Sequence, residues 1–153
     1  MPKTHEKYMR LALNLAKKAA EKDEVPVGCV IVCDDKVVGR GKNARETKQN
    51  ALCHAEITAI DQACKKLGQW RIGSCDLYVT LEPCPMCAGA IINSRIRNVY
   101  FGAHDKKAGA CGSVLNMFDY PFNHKPACTG GVLEHECAQI LTDFFKKLRA
   151  KKQ

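Results

Sequence analysis

Asp76-Leu77-Tyr78-Val79-Thr80-Leu81-Glu82-Pro83-Cys84-Pro85-Met86-Cys87 is the stretch that decides the fold. Asp76 to Thr80 is mostly apolar, aromatic and β-branched, and it reads as a strand. Pro83 then opens a helix expected over 84–94, because proline is tolerated at a helix's first turn. Asn98-Val99-Tyr100-Phe101-Gly102 reads as another strand. Strand, helix and strand in that order predict a crossover that joins parallel neighbours.

Working upstream, Val27 to Cys33 is a nearly continuous β-branched run, the pattern of a strand buried on both faces. Asp34-Asp35 turns the chain, and Lys36 to Gly41 returns as the second strand of a hairpin. A polar loop from Asn43 to Asn50 leads to a helix over 54–67, closed by Gly68. Before the hairpin, Tyr8, Leu11, Ala12, Leu15, Ala16 and Ala19 recur at helical spacing within 4–22, with Thr4 as N-cap. Downstream, 103–130 is rich in loops, with one short helix near 113–119. Gly131-Val132-Leu133 reads as a last short strand, and Glu134 to Lys151 as a helix with a basic end. The expectation is one α/β domain over 1–153, with a mixed sheet and helices on both faces.

The chain has 153 residues, 46% of them hydrophobic and 26% charged, which suits one folded domain. No apolar run approaches the roughly 20 residues of a membrane span. Met1-Pro2-Lys3-Thr4-His5-Glu6 lacks the apolar core of a signal peptide. These features predict a cytoplasmic protein with no membrane partner. The ten cysteines are then expected to be reduced, most of them packing as small hydrophobes. The net charge of +8 suits a polyanionic partner such as nucleic acid.

Cys84-Pro85-Met86-Cys87 places two thiols within one helical turn, so both can reach one metal ion. Such a pair alone is also compatible with half of a structural zinc site or a redox dithiol. No second C-x-x-C and no His-x₃₋₅-His is present to complete a four-ligand structural site. His54-Ala55-Glu56 lies upstream. His54, Cys84 and Cys87 together make a three-ligand set that leaves the fourth tetrahedral position to water. Zinc lowers the pKa of that water toward about 7. Glu56 can approach the same metal without binding it, which suits a proton shuttle. With Pro83 before Cys84, these residues match the H-x-E…P-C-x-x-C signature of zinc deaminases.

On these motifs the chain resembles the cytidine/deoxycytidylate deaminase superfamily, and within it the bacterial tRNA-specific adenosine deaminases. The resemblance runs from about Tyr8 to Arg149. Glu24-Val25-Pro26-Val27-Gly28, the zinc motifs with Cys87-Ala88-Gly89-Ala90, and Asp143-Phe144-Phe145 carry it. It implies a three-layer α/β/α cytidine deaminase-like fold around a five-stranded mixed sheet, and one Zn²⁺ per subunit. It also implies a homodimer whose substrate is the anticodon stem-loop of tRNA. Zinc-activated water would attack C6 of the wobble adenosine, with Glu56 moving the protons, and the product would be inosine. The base must leave its stack to react.

By the same resemblance Asn43 would contact the nucleoside, and Asp105, Lys106 and Lys107 would lie near the anticodon. Phe122, Asn123 and His124 would offer a stacking face with polar groups, and Phe145 belongs to a matching segment. The basic end of the last helix, with Lys146, Lys147, Arg149, Lys151 and Lys152, would track the RNA backbone. Met86, Ala90 and Ile91 form a candidate dimer patch that core packing explains equally well. The chain departs from the family at Ala51-Leu52-Cys53 and at His104, which bears on the pocket and on sequence preference. Guanine or cytosine deamination of free bases is the rival with the same mechanism. A noncatalytic zinc-stabilised RNA-binding module is the rival from another class, and it would have no use for Glu56.

Overall fold

The computed structural model describes residues 2–152. Five strands form one sheet in the order β2-β1-β3-β4-β5. β1 (Gly28–Cys33) and β2 (Lys36–Lys42) are the hairpin. Asp34 and Asp35 join them with φ of 51° and 60°, the left-handed pair of a two-residue primed turn. β1 also runs antiparallel to β3 (Cys75–Leu81). β3, β4 (Asn98–Ala103) and β5 (Ala127–Thr129) are parallel, as a crossover through α4 (Pro85–Ser94) requires.

Helices cover both faces, because the central strands are apolar on both. Cys29, Ile31, Leu77, Val79, Val99 and Phe101 pack with α3 (Ala55–Leu67) and α4. Val30, Val32 and Tyr78, one residue out of step, pack with α1 (Lys3–Glu21) and α5 (Glu134–Lys151). Two glycines allow close approach. A Cβ on Gly28 would overlap the Ala12 carbonyl oxygen of α1, and one on Gly41 the Ala55 carbonyl oxygen at the start of α3.

Several local expectations change. The polar segment 43–50 holds a single-turn helix, α2 (Arg45–Lys48), stabilised by a carboxylate from far upstream. The last strand is 127–129 rather than 131–133. Gly131 has φ 90° and Leu133 φ 51°, so the chain turns there into α5. Gly131 and Val132 still donate to the Gly102 and Phe101 carbonyls. α1 starts at Lys3 with Pro2 as its cap, so Thr4 lies inside it. Met9 and Leu13 turn inward while Leu11 is 37% exposed. Near 113–119 the helix is one 3₁₀ turn, Met117–Asp119. Ile91 is fully buried in the core under α4, which removes it from the candidate dimer patch.

Candidate active site

α3 and α4 begin side by side. His54 immediately precedes α3 and Cys84 immediately precedes α4, both in extended conformation. Pro85 occupies the first helical position, where its missing N–H costs nothing, and Cys87 follows in the first turn. His54 Nδ1 lies 3.6 Å from Cys84 Sγ and 3.5 Å from Cys87 Sγ. All three donor atoms fall within 4.8 Å of one another. A tetrahedral zinc with bonds of about 2.3 Å to sulfur and about 2.0 Å to nitrogen has N···S edges of about 3.5 Å. The observed spacings are therefore those of ligands sharing one ion. Among the described residues no other cluster of three such donors occurs.

The electrostatics suit this role. A hydrogen bond from the Cys87 thiol, aided by His54, draws Cys84 down to about 4, so that it favours the thiolate that binds metal. The same contact pushes Cys87 up, and contact with Cys84 raises His54. Glu56, in the first turn of α3, is buried, and its burial pushes the carboxyl up to about 7. A carboxyl near neutrality both accepts and returns a proton.

His54, Glu56 and Cys84 line a cavity of about 550 Å³, a size typical of small-molecule sites. Asn43 and Arg45 line it from the segment around α2, residues 104–108 from the loop after β4, and Leu141 and Phe145 from α5. Asn43 Nδ2 donates to the Val25 carbonyl, while its Oδ1 is buried without a protein partner.

Two buried carboxylates hold these segments. Glu24 accepts from the N–H groups of Glu46 (3.1 Å) and Thr47 (2.6 Å) and from the Thr47 hydroxyl (2.6 Å), tying down the start of α2. Its burial opposes ionisation, but these donors outweigh it and lower its pKa. Glu82 accepts from the N–H groups of Asp105 (3.0 Å), Cys111 (3.0 Å) and Ser113 (3.1 Å) and from the Ser113 hydroxyl. Burial is again outweighed, and its pKa is lowered too. His104 bridges the two acids Glu82 (3.7 Å) and Glu134 (3.3 Å).

The structure thus gathers Asn43, His54, Glu56, Cys84, Asp105, Lys106 and Phe145 around one cavity, with Cys87 packed behind His54. Phe122, Asn123, His124 and Arg149 are not among its lining residues. Phe122 and Asn123 are exposed, and His124 Nε2 sits 2.6 Å from the Ile96 carbonyl oxygen. Cys53 is half-buried beside His54 and accepts from the Ala44 N–H. Nothing in the sequence pattern singles out Arg45 or the two carboxylates. Glu24 and Glu82 stand inside recognised motifs, but their partners lie more than twenty residues away.

The model of the MafB19-like deaminases matches residues 3–149. A tRNA-specific adenosine deaminase of Bacillus subtilis is 50% identical over 149 residues, covering 97% of this chain and 92% of its own. A solved structure from a study of A-to-I editing by tRNA:A34 deaminases at the wobble position superposes with a TM-score of 0.85. It is 47% identical, over 88% of this chain and 98% of that one. A guanine deaminase from Nitrosomonas europaea, 21% identical over 91% of this chain and 83% of its own, shares the fold with a TM-score of 0.74. The chain belongs to the MafB19-like deaminase family and, within it, to the tRNA-specific adenosine deaminases.

Proposed function

We propose that this chain hydrolytically deaminates adenosine to inosine at the wobble position of a tRNA anticodon. The carrying observation is the meeting of His54, Cys84 and Cys87 at ligand spacing, beside a cavity that His54, Cys84 and buried Glu56 line. Those three residues would hold one Zn²⁺ per subunit, which when bound supplies an activated water near neutral pH. Glu56 takes one proton of the water and delivers it to the adenine ring nitrogen, then carries the second, from the hydroxyl now on C6, to the amino group, which leaves as ammonia. Asn43 Oδ1, an acceptor with no protein donor, takes a hydrogen bond from the flipped nucleoside. Arg45, Asp105, Lys106 and Lys107 meet the neighbouring nucleotides at the cavity's mouth. Phe145 packs against the substrate from α5, and exposed Phe122 and Asn123 with Arg149 act on RNA outside the cavity.

A homodimer working in the cytoplasm completes the reading. No helix among the described residues is long and apolar enough to cross a membrane. The basic residues at the cavity favour a polyanionic substrate over free guanine or cytosine, which need no such field.

Replacing Glu56 with Gln tests the assignment. Metal content and RNA binding are expected to persist while turnover falls at least about 100-fold. Persistent turnover would remove Glu56 from the chemistry. Ammonia released from free guanine or cytosine, with tRNA untouched, would move the activity to the small-base branch.

A further inference from the structure

Cys33 ends β1, Cys75 begins β3, and the two residues face each other in the antiparallel register. Facing pairs in such a ladder alternate between two spacings. The pair that exchanges no backbone hydrogen bonds is the closer, with Cα atoms about 4.5 Å apart. Cys75 donates its N–H to the Ile72 carbonyl (3.1 Å), and its carbonyl accepts from the Arg97 N–H (3.2 Å). Neither group is spent on Cys33, so this is the closer kind of pair. That spacing lies within the roughly 4.4–6.8 Å that a disulfide bridges. Both side chains point to the α3–α4 face of the sheet. Burial and contact with the Cys33 thiol push the Cys75 thiol up to about 12. Cys33 is half-buried, with its Sγ 3.2 Å from the Ser74 hydroxyl, whereas Cys75 is fully buried. One thiol is reachable and its partner lies beneath it, the arrangement of an attacking and a resolving cysteine.

We propose that Cys33 and Cys75 form a cross-strand dithiol that a low-molecular-weight disulfide converts to an intramolecular disulfide. The Cys33 thiolate attacks one sulfur of the oxidant, whose S–S bond breaks and releases one thiol. Cys75 loses its proton and attacks the Cys33 sulfur of the mixed disulfide, releasing the second thiol. The protein gives up two electrons and two protons, and the oxidant becomes two thiols. The new bond closes a loop of about forty residues and so restricts the unfolded chain. Cys75 stands at the opposite end of seven-residue β3 from Leu81, about 20 Å from the end that leads to Cys84. Oxidation therefore stabilises the fold without touching the metal donors.

The test equilibrates the metal-loaded full chain with oxidised glutathione, quenches in acid, and maps peptides without reduction. The expected product joins the peptides of Cys33 and Cys75, is two hydrogens lighter, and parts on reduction. Its Tm rises by about 5 °C or more, and deaminase activity stays within about twofold. Cys33→Ser abolishes both the crosslink and the Tm gain. Cys75→Ala accumulates glutathione on Cys33. A stable mixed disulfide on Cys33 of the unmodified chain, with Cys75 still alkylated, would overturn the proposal. So would an unreactive Cys33, or earlier crosslinking at Cys111 and Cys128, whose thiols are also in contact.

Discussion

Asn43 Oδ1 is the one buried side-chain N or O atom without a hydrogen-bond partner among the described residues, and it belongs to a residue that lines the cavity. A buried acceptor left unpaired costs about 1–3 kcal/mol, and a substrate donor would recover it. Asn43→Ala is therefore expected to raise KM about tenfold, with a smaller loss in kcat and little loss of stability. A large drop in Tm with unchanged KM would assign Asn43 to packing. Glu24 gives a pH prediction. Its folded pKa lies below the ordinary 4.5, so its contribution is full above that value. That contribution fades as pH falls through the lowered folded value. Glu24→Gln should lose about 1–3 kcal/mol at neutral pH and flatten the acid limb of stability, as read by denaturation across pH. His54, Glu56, Cys84 and Cys87 were legible in the sequence because metal chemistry demands their types and local spacing. Glu24 and Glu82 were not, since their partners are backbone N–H groups that no residue type announces.

At the scale of elements, the strand and helix cores followed from periodicity, and the exceptions have physical causes. Isolated single-turn helices are not self-sustaining, and α2 exists because Glu24 binds its first N–H groups. Gly131-Val132-Leu133 has strand composition, yet left-handed Gly131 and Leu133 bend it into the start of α5. Glu82 anchors the loop after β4 to the backbone just ahead of Cys84, so one side chain relates the cavity's mouth to the candidate metal donors. Glu82→Gln is expected to raise the KM for tRNA several-fold with metal content unchanged. Hydrogen exchange should quicken over residues 105–113. Loss of metal without faster exchange would contradict that role. Gly41→Ala should push the start of α3 off β2. Overpacking of this kind costs about 1–3 kcal/mol or more, and here kcat should fall with Tm because His54 and Glu56 move with the helix.

For the whole molecule, His54, Cys84 and Cys87 sit at the starts of two helices on one face of the sheet, so an ion held by them would tie α3 to α4. Chelation should lower Tm and abolish activity together, and added zinc should restore both. The charge of +8 should make the KM for tRNA climb steeply with salt while kcat changes little. The proposed activity is the deamination of one adenosine in a folded RNA. The direct measurement is to sequence a tRNA with unmodified adenosines at the wobble and other loop positions, after incubation with the metal-loaded protein. Inosine is expected at the wobble position alone. An unedited tRNA, or inosine scattered among the loop adenosines, would contradict it.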